Sequence, residues 1–332
     1  MVQTRGLAVS DAGSRRGDKQ NGGASRDNND SINGDEATVK GLLSPADKVV
    51  IAYLVIIAAL ILVFSYRIAL RAQLIAIHAA LILVIILIAR WARSSPLGQF
   101  IRGWYPVALI PATYKELSYL IPLVHPRDYD AELAMIDHRI FGTHPTIWLE
   151  RVTWPPLTEF LQITYATYYF WPIVLGAVLW RKRWFDKYHF WVFIVALGFY
   201  LSYLGYLAVP ATGPRFLPLI RDAQTKPLEG LWLYQTIRQT LDKAEGITRD
   251  CFPSGHTEIT LLVLYYARRF HRRTFRWIIV PGSALIISTV YLRYHYVIDV
   301  FAGALLAIAV ILVANPLYRA LGGKWRKAEG GL

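Results

Sequence analysis

The run VVIAYLVIIAALILVFSY, residues 49–66, contains no charged side chain in eighteen consecutive positions. A helix needs about 20 mostly apolar residues to cross the hydrocarbon core of a bilayer, so this run reads as a membrane span. Comparable runs recur at Gln73–Ile88, Trp104–Leu123, Leu157–Trp180, Phe190–Val209, Thr257–Phe270, Trp277–Leu292 and Tyr296–Leu317. The expected fold class is therefore all-α: a polytopic transmembrane helical bundle of about eight membrane segments. The third run is interrupted by Pro106, Pro111, Lys115 and Glu116, which makes it either a broken span or a helix facing the bundle interior. The runs opening at Thr257 and Trp277 are short, and both adjoin polar segments where a site could lie.

Composition agrees. The chain has 332 residues, 55% of them hydrophobic, which argues against a pair of soluble domains. Its formal charge of +13 would suit a nucleic-acid partner, but the basic residues sit in short clusters between the apolar runs. No nucleic-acid partner is expected. The single cysteine, Cys251, excludes an intrachain disulfide and any cysteine-based metal framework. The N-terminal residues are rich in Gly, Ser, Asn, Asp and Arg and include no apolar stretch like a signal-peptide core.

The basic clusters also orient the chain. Arg90 to Arg93 with Arg102, then Arg181, Lys182, Arg183 and Lys187, then Arg268 to Arg276, then Arg319 to Lys327 all fall on one side when eight spans are threaded. Such clusters favour the cytoplasmic side. Both termini are then expected inside, with segments 125–156, 210–256 and 293–296 on the extracytoplasmic face.

Three motifs share that outer face. The first, Ala211-Thr212-Gly213-Pro214-Arg215-Phe216, offers an arginine able to clamp a phosphate bidentately; alone it would be an ordinary loop residue or a headgroup anchor. The second, Phe252-Pro253-Ser254-Gly255-His256-Thr257, runs into an apolar stretch and reads as a loop ending on a helix N-terminus. Free N–H groups and the positive end of the helix dipole favour an anion there, beside His256. Its plainer reading is a turn with a capping serine and an interfacial histidine. The third, Arg293-Tyr294-His295-Tyr296-Val297-Ile298-Asp299, spaces a histidine and an aspartate four apart, which on a helix puts them on one face. An aspartate holding one imidazole nitrogen leaves the other free and more basic, making His295 a credible nucleophile. The alternative is an aspartate placed for the helix dipole alone.

Together the three motifs resemble the signature of the type-2 phosphatidic acid phosphatase superfamily, which also includes vanadium haloperoxidases and sphingolipid headgroup transferases. The resemblance covers roughly residues 100–318. It implies that His295 attacks phosphorus and carries a phosphohistidine, that Asp299 orients it, and that His256 protonates the leaving alcohol. It further implies that Ser254, Gly255 and Arg215 hold phosphate oxygens, and that the chemistry needs no cofactor and no metal. Two positions depart from the family pattern: Ala208 stands where a lysine is usual and Thr289 where an arginine is usual. Arg293 is read as the replacement positive charge, a placement similar to the inositol phosphorylceramide synthase and sphingomyelin synthase-like branch. The segment from Trp104 through Tyr169, with Tyr114, Lys115, Glu116, Asp130, Asp137, Phe141-Gly142 and Tyr165 to Tyr169, is also similar to that branch and its bacterial relatives.

The domain expectations are a disordered cytoplasmic tail over 1–46, two N-terminal transmembrane helices over 47–103, a phosphatase-like catalytic membrane domain over 104–318, and a basic cytoplasmic tail over 319–332. The expected function is a lipid phosphatase cleaving a phosphomonoester or pyrophosphate of a membrane lipid. The alternatives are a phosphotransferase using a ceramide-like or polyol acceptor and a non-catalytic membrane scaffold. The expected partners are a lipid phosphate and the membrane, in a bacterium the inner one.

Overall fold

The computed structural model describes residues 41–245 and 249–324. Most of the expected N-terminal tail, residues 1–40, and the end of the expected basic tail, residues 325–332, lie outside the described residues. The longer described elements are helices: α1 Pro45–Val63, α2 Arg71–Trp91, α3 Pro96–Val124, α4 Asp130–Phe141, α5 Pro155–Ala166, α6 Phe170–Arg181, α7 Phe185–Ala208, α8 Tyr234–Glu245, α9 Gly255–Phe270, α10 Arg272–Tyr291 and α11 Val297–Ala320. A 3-10 turn at Thr167–Tyr169 joins α5 and α6 into one membrane-length unit.

Six stretches are long and apolar enough to cross a membrane: Pro45–Val63, Arg71–Trp91, Pro155–Arg181, Phe185–Ala208, Arg272–Tyr291 and Val297–Ala320. They are consistent with an integral membrane protein. The other two expected spans also form helices, α3 and α9, so the count of about eight coincides with eight helical units.

Two sequence expectations change in detail. The run opening at Trp277 is not short. Its helix begins five residues earlier at Arg272, because His271 caps it by accepting the N–H of Thr274 at 3.3 Å. The proline-interrupted run is not broken either, since α3 continues through Pro106, Pro111 and Pro122. Proline removes a backbone donor and leaves a carbonyl without its partner. Tyrosines of α7 provide donors along this helix, Tyr188 to the carbonyl of Gly103 at 3.0 Å and Tyr203 to that of Ile110 at 3.2 Å. Glu116 of α3 faces His78 of α2 at 3.4 Å, a contact within the helix packing and separate from the motif residues.

Helix α7 is the axis of the bundle. It packs against α1, α3, α6, α9 and α11, and buries Phe190, Trp191, Phe193, Ile194 and Tyr200. Helix α2 is its opposite, burying only His78, Ile85 and Ala89 and turning Leu83, Val84 and Leu87 outward. An apolar side chain turned outward is costly in water and at no disadvantage in hydrocarbon, so this outer face suits lipid.

Candidate active site

The three motifs meet at one end of the bundle, stitched by backbone. The N–H of Cys251 donates to the carbonyl of Ala211 at 3.1 Å, and the N–H of Ser254 to the carbonyl of Asp299 at 3.0 Å. Gly213, at φ +93°, comes so close to Tyr294 that an added Cβ would lie 2.5 Å from its carbonyl oxygen. A side chain there would push the first motif off the third. Gly303 of α11 sits equally tight against the Ser254 carbonyl, letting α11 pack directly on the second motif.

Carboxylates of α4 hold this junction. Asp130 accepts the N–H of Thr212 at 2.8 Å, the N–H of Gly213 at 2.8 Å and the hydroxyl of Tyr296 at 2.9 Å. Asp137 accepts the N–H groups of Val297 at 2.8 Å and Ile298 at 2.9 Å, two of the unpaired donors that open α11. Both residues were noted in the sequence only through the resemblance, because their bonding partners lie some 80 to 170 residues away and no spacing rule connects them.

Ser254 is the N-cap of α9, and its hydroxyl accepts the N–H of Thr257 at 3.3 Å. The N–H groups of Gly255 and His256 have no protein partner among the described residues, so an anion could take both. Gly255 itself lies against the Tyr206 hydroxyl, where a Cβ has no room. The His256 ring stacks on Tyr165 at 4.5 Å and lies 4.1 Å from Tyr168. Its Nε2 is buried without a hydrogen-bond partner among the described residues. A buried imidazole nitrogen left unpaired is uncommon and is open to a substrate atom.

The His295 ring lies 5.6 Å from that of His256. Its pairing with Asp299 differs from the expected helix-face arrangement. Helix α11 starts at Val297 with Tyr296 as N-cap, so His295 precedes the helix and Asp299 occupies its first turn. Asp299 Oδ2 accepts the N–H of Tyr296 at 2.8 Å and the thiol of Cys251 at 2.9 Å, and faces His295 Nδ1 at 3.4 Å. The Nε2 of His295 is thereby the nitrogen turned away from the carboxylate. His295 is further fixed by its backbone N–H, which donates to Thr289 at 3.0 Å.

Arg215 and Arg293 diverge. The Arg215 guanidinium carbon lies 4.6 Å from the Tyr294 ring centre, and Tyr294 stacks on Tyr165 at 4.4 Å. Arg215 therefore stands at the end of an aromatic column that reaches His256. Arg293, at φ +67°, sends its guanidinium to Glu150 at 3.0 Å, Gln224 at 2.7 Å and the Lys226 carbonyl at 2.8 Å. These bonds tie segment 149–152 and loop 224–226 to the third motif. Arg293, expected to supply the second phosphate charge, is thus bonded to protein acceptors.

Sequence reasoning missed Arg238 of α8, whose guanidinium carbon lies 5.9 Å from the centre of the same Tyr294 ring. It also missed Cys251 and Asp250. Asp250 accepts the Tyr114 hydroxyl at 2.5 Å, and burial raises its carboxyl above the usual range. Burial beside Asp299 also pushes the Cys251 thiol up, so it stays protonated and acts as a donor. Cys251, His295 and Asp299 put one ligand atom each within 4.8 Å of one another, close enough for a metal ion, though their mutual hydrogen bonds account for the cluster. His256 is outside that grouping.

A helical bundle with two facing histidines, an orienting aspartate, an open helix N-terminus and an adjoining arginine is a site suited to phosphoryl transfer. The model of the PAP2 superfamily matches residues 131–313, more than half of the chain. The chain belongs to this superfamily, whose members are generally phosphatases and phosphotransferases. A protein of Dictyostelium discoideum described as a PA-phosphatase related-family protein is similar, 25% identical over 174 residues. That alignment covers 47% of this chain and 31% of the relative, so the chain spans about a third of the relative's length. No solved structure matches.

Proposed function

We propose that this protein is an integral membrane lipid phosphatase that hydrolyses a phosphomonoester or pyrophosphate of a membrane lipid through a phosphohistidine. The observation that carries the reading is the pair of imidazoles 5.6 Å apart, one fixed by a carboxylate and the other with an unpaired nitrogen beside a helix N-terminus. In the first step His295 Nε2 forms a bond to phosphorus while the bond from phosphorus to the lipid oxygen breaks. His256 delivers a proton to that oxygen. In the second step water attacks phosphorus, gives a proton back to His256, and the phosphorus–nitrogen bond breaks to release phosphate. Asp299 holds His295 in one tautomer throughout. The N–H groups of Gly255 and His256, with Arg215, hold the phosphoryl oxygens.

A lipid substrate is supported by an apolar groove between α3, α6 and α7, lined by residues such as Trp104, Ile110, Ile173 and Phe199. Phe199 lies 6.0 Å from Tyr168, the ring that touches His256. A hydrocarbon chain in the groove would thus lead to the histidines. The basic clusters favour a site on the extracytoplasmic face and cytoplasmic termini.

The test is phosphate release from a panel of lipid phosphates by the purified protein in detergent, without added metal. Release needing only water supports the phosphatase. Silence until a polyol or ceramide-like alcohol is added would replace it with the transferase, and silence with every acceptor would leave the scaffold.

A further inference from the structure

The phosphate site described above has one arginine at the aromatic column, whereas transfer of a phosphoryl dianion draws on several positive charges. Arg293 is spent on Glu150, Gln224 and Lys226. Helix α8 supplies what is missing. Glu159 anchors its start by accepting the N–H groups of Leu231 at 2.9 Å, Leu233 at 2.7 Å and Tyr234 at 3.1 Å. Tyr234, Arg238, Leu241 and Asp242 then recur at helical spacing on one side of α8, with Tyr234 and Leu241 packed into the cluster that contains Tyr165 and Tyr294.

Two charges of that side bear on the site. Arg238 lies over the Tyr294 ring, as Arg215 does, and its guanidinium donates to the Tyr234 hydroxyl, a neutral acceptor. No carboxylate pairs with it among the described residues. A guanidinium has five N–H donors, so most of this one's capacity is unspent. Asp242 meanwhile bonds Arg215 at 2.8 Å through a carboxylate that is 41% exposed. With the Asp242 end open to solvent and the Arg215 side chain mostly covered, the carboxylate is the partner that can be exchanged.

We propose that Arg238 is the second phosphate-binding cation of the site, and that Asp242 is the carboxylate an incoming phosphate displaces from Arg215. This rests on the phosphate site of the proposed function. The two residues sit one turn apart on the same helix yet act in opposite directions on anion affinity, which a purely structural role for α8 would not produce.

Orthovanadate, a phosphate mimic, tests this without knowledge of the lipid: its affinity for the full-length protein in detergent is read from the ligand-induced rise in melting temperature. Arg238→Gln is expected to weaken vanadate at least about tenfold, the loss of one charge-assisted contact. Arg238→Lys, which keeps the charge and guards against misfolding, should lose about threefold. Asp242→Asn should tighten vanadate about threefold by freeing Arg215. Wild-type affinity in both Arg238 variants, or weaker binding in Asp242→Asn, would overturn the inference and leave the phosphatase reading standing. No vanadate binding by the wild-type protein would overturn that reading and this inference with it.

Discussion

The two histidine segments look alike in sequence, each a histidine close to the start of an apolar helix, but the structure holds them differently. His256 is the second residue inside α9, gripped by ring stacking on Tyr165 and a tilted contact with Tyr168, with no partner on its Nε2 among the described residues. His295 lies before α11, held by a carboxylate at one ring nitrogen and by its own backbone. Stacking fixes the plane of a ring and leaves its protons free to move, whereas a carboxylate fixes the tautomer. The first suits an acid and base, the second a nucleophile.

The largest way to break this contrast is His295→Ala, which should lower turnover by at least about 10³-fold, measured as phosphate release, because no other group takes the place of the attacking nitrogen. Residual turnover at the wild-type rate would remove His295 from the chemistry. Next in size is the staple beside it. Arg293 and Glu150 are both buried, and Arg293→Gln leaves a carboxylate without its partner, expected to cost about 3 kcal/mol of stability. Thermal unfolding should show the loss in the apo protein, with vanadate affinity changed little in the fraction that remains folded. A selective loss of vanadate affinity with unchanged melting would instead return Arg293 to the phosphate. The smallest expected effect belongs to Cys251, whose thiol steadies the same Asp299 oxygen that faces His295. Cys251→Ser keeps a donor and should change turnover less than about threefold, whereas Cys251→Ala removes a bond of about 1 kcal/mol. With its thiol pushed up by burial, native Cys251 should resist alkylation at neutral pH and react only after denaturation.

How far this was legible in the sequence follows from the range of the interactions. Runs such as residues 49–66 announce helices because hydropathy is local, and the helix-opening position of His256 was readable from Ser254 as a cap. The relation between His295 and Asp299 was read as a helix face, although Asp299 turns back to the Tyr296 N–H and starts the helix after His295. The direction of Arg293 was not legible because proximity in sequence to a histidine carries none, and in the structure its side chain turns toward Glu150. Arg238 and Asp242 were invisible within a segment without a motif. The spacing of Tyr234, Arg238 and Leu241 was the available signal, and it shows only that a helix has one inward side.

The central claim is tested most directly by trapping the intermediate. The account predicts that the His256→Ala variant, mixed with labelled p-nitrophenyl phosphate and quenched, retains phosphate covalently on His295, because that leaving group departs without a proton whereas water still needs His256 as its base. Phosphate found on another residue, or none on His295 while the wild-type protein turns over the same substrate, would contradict it.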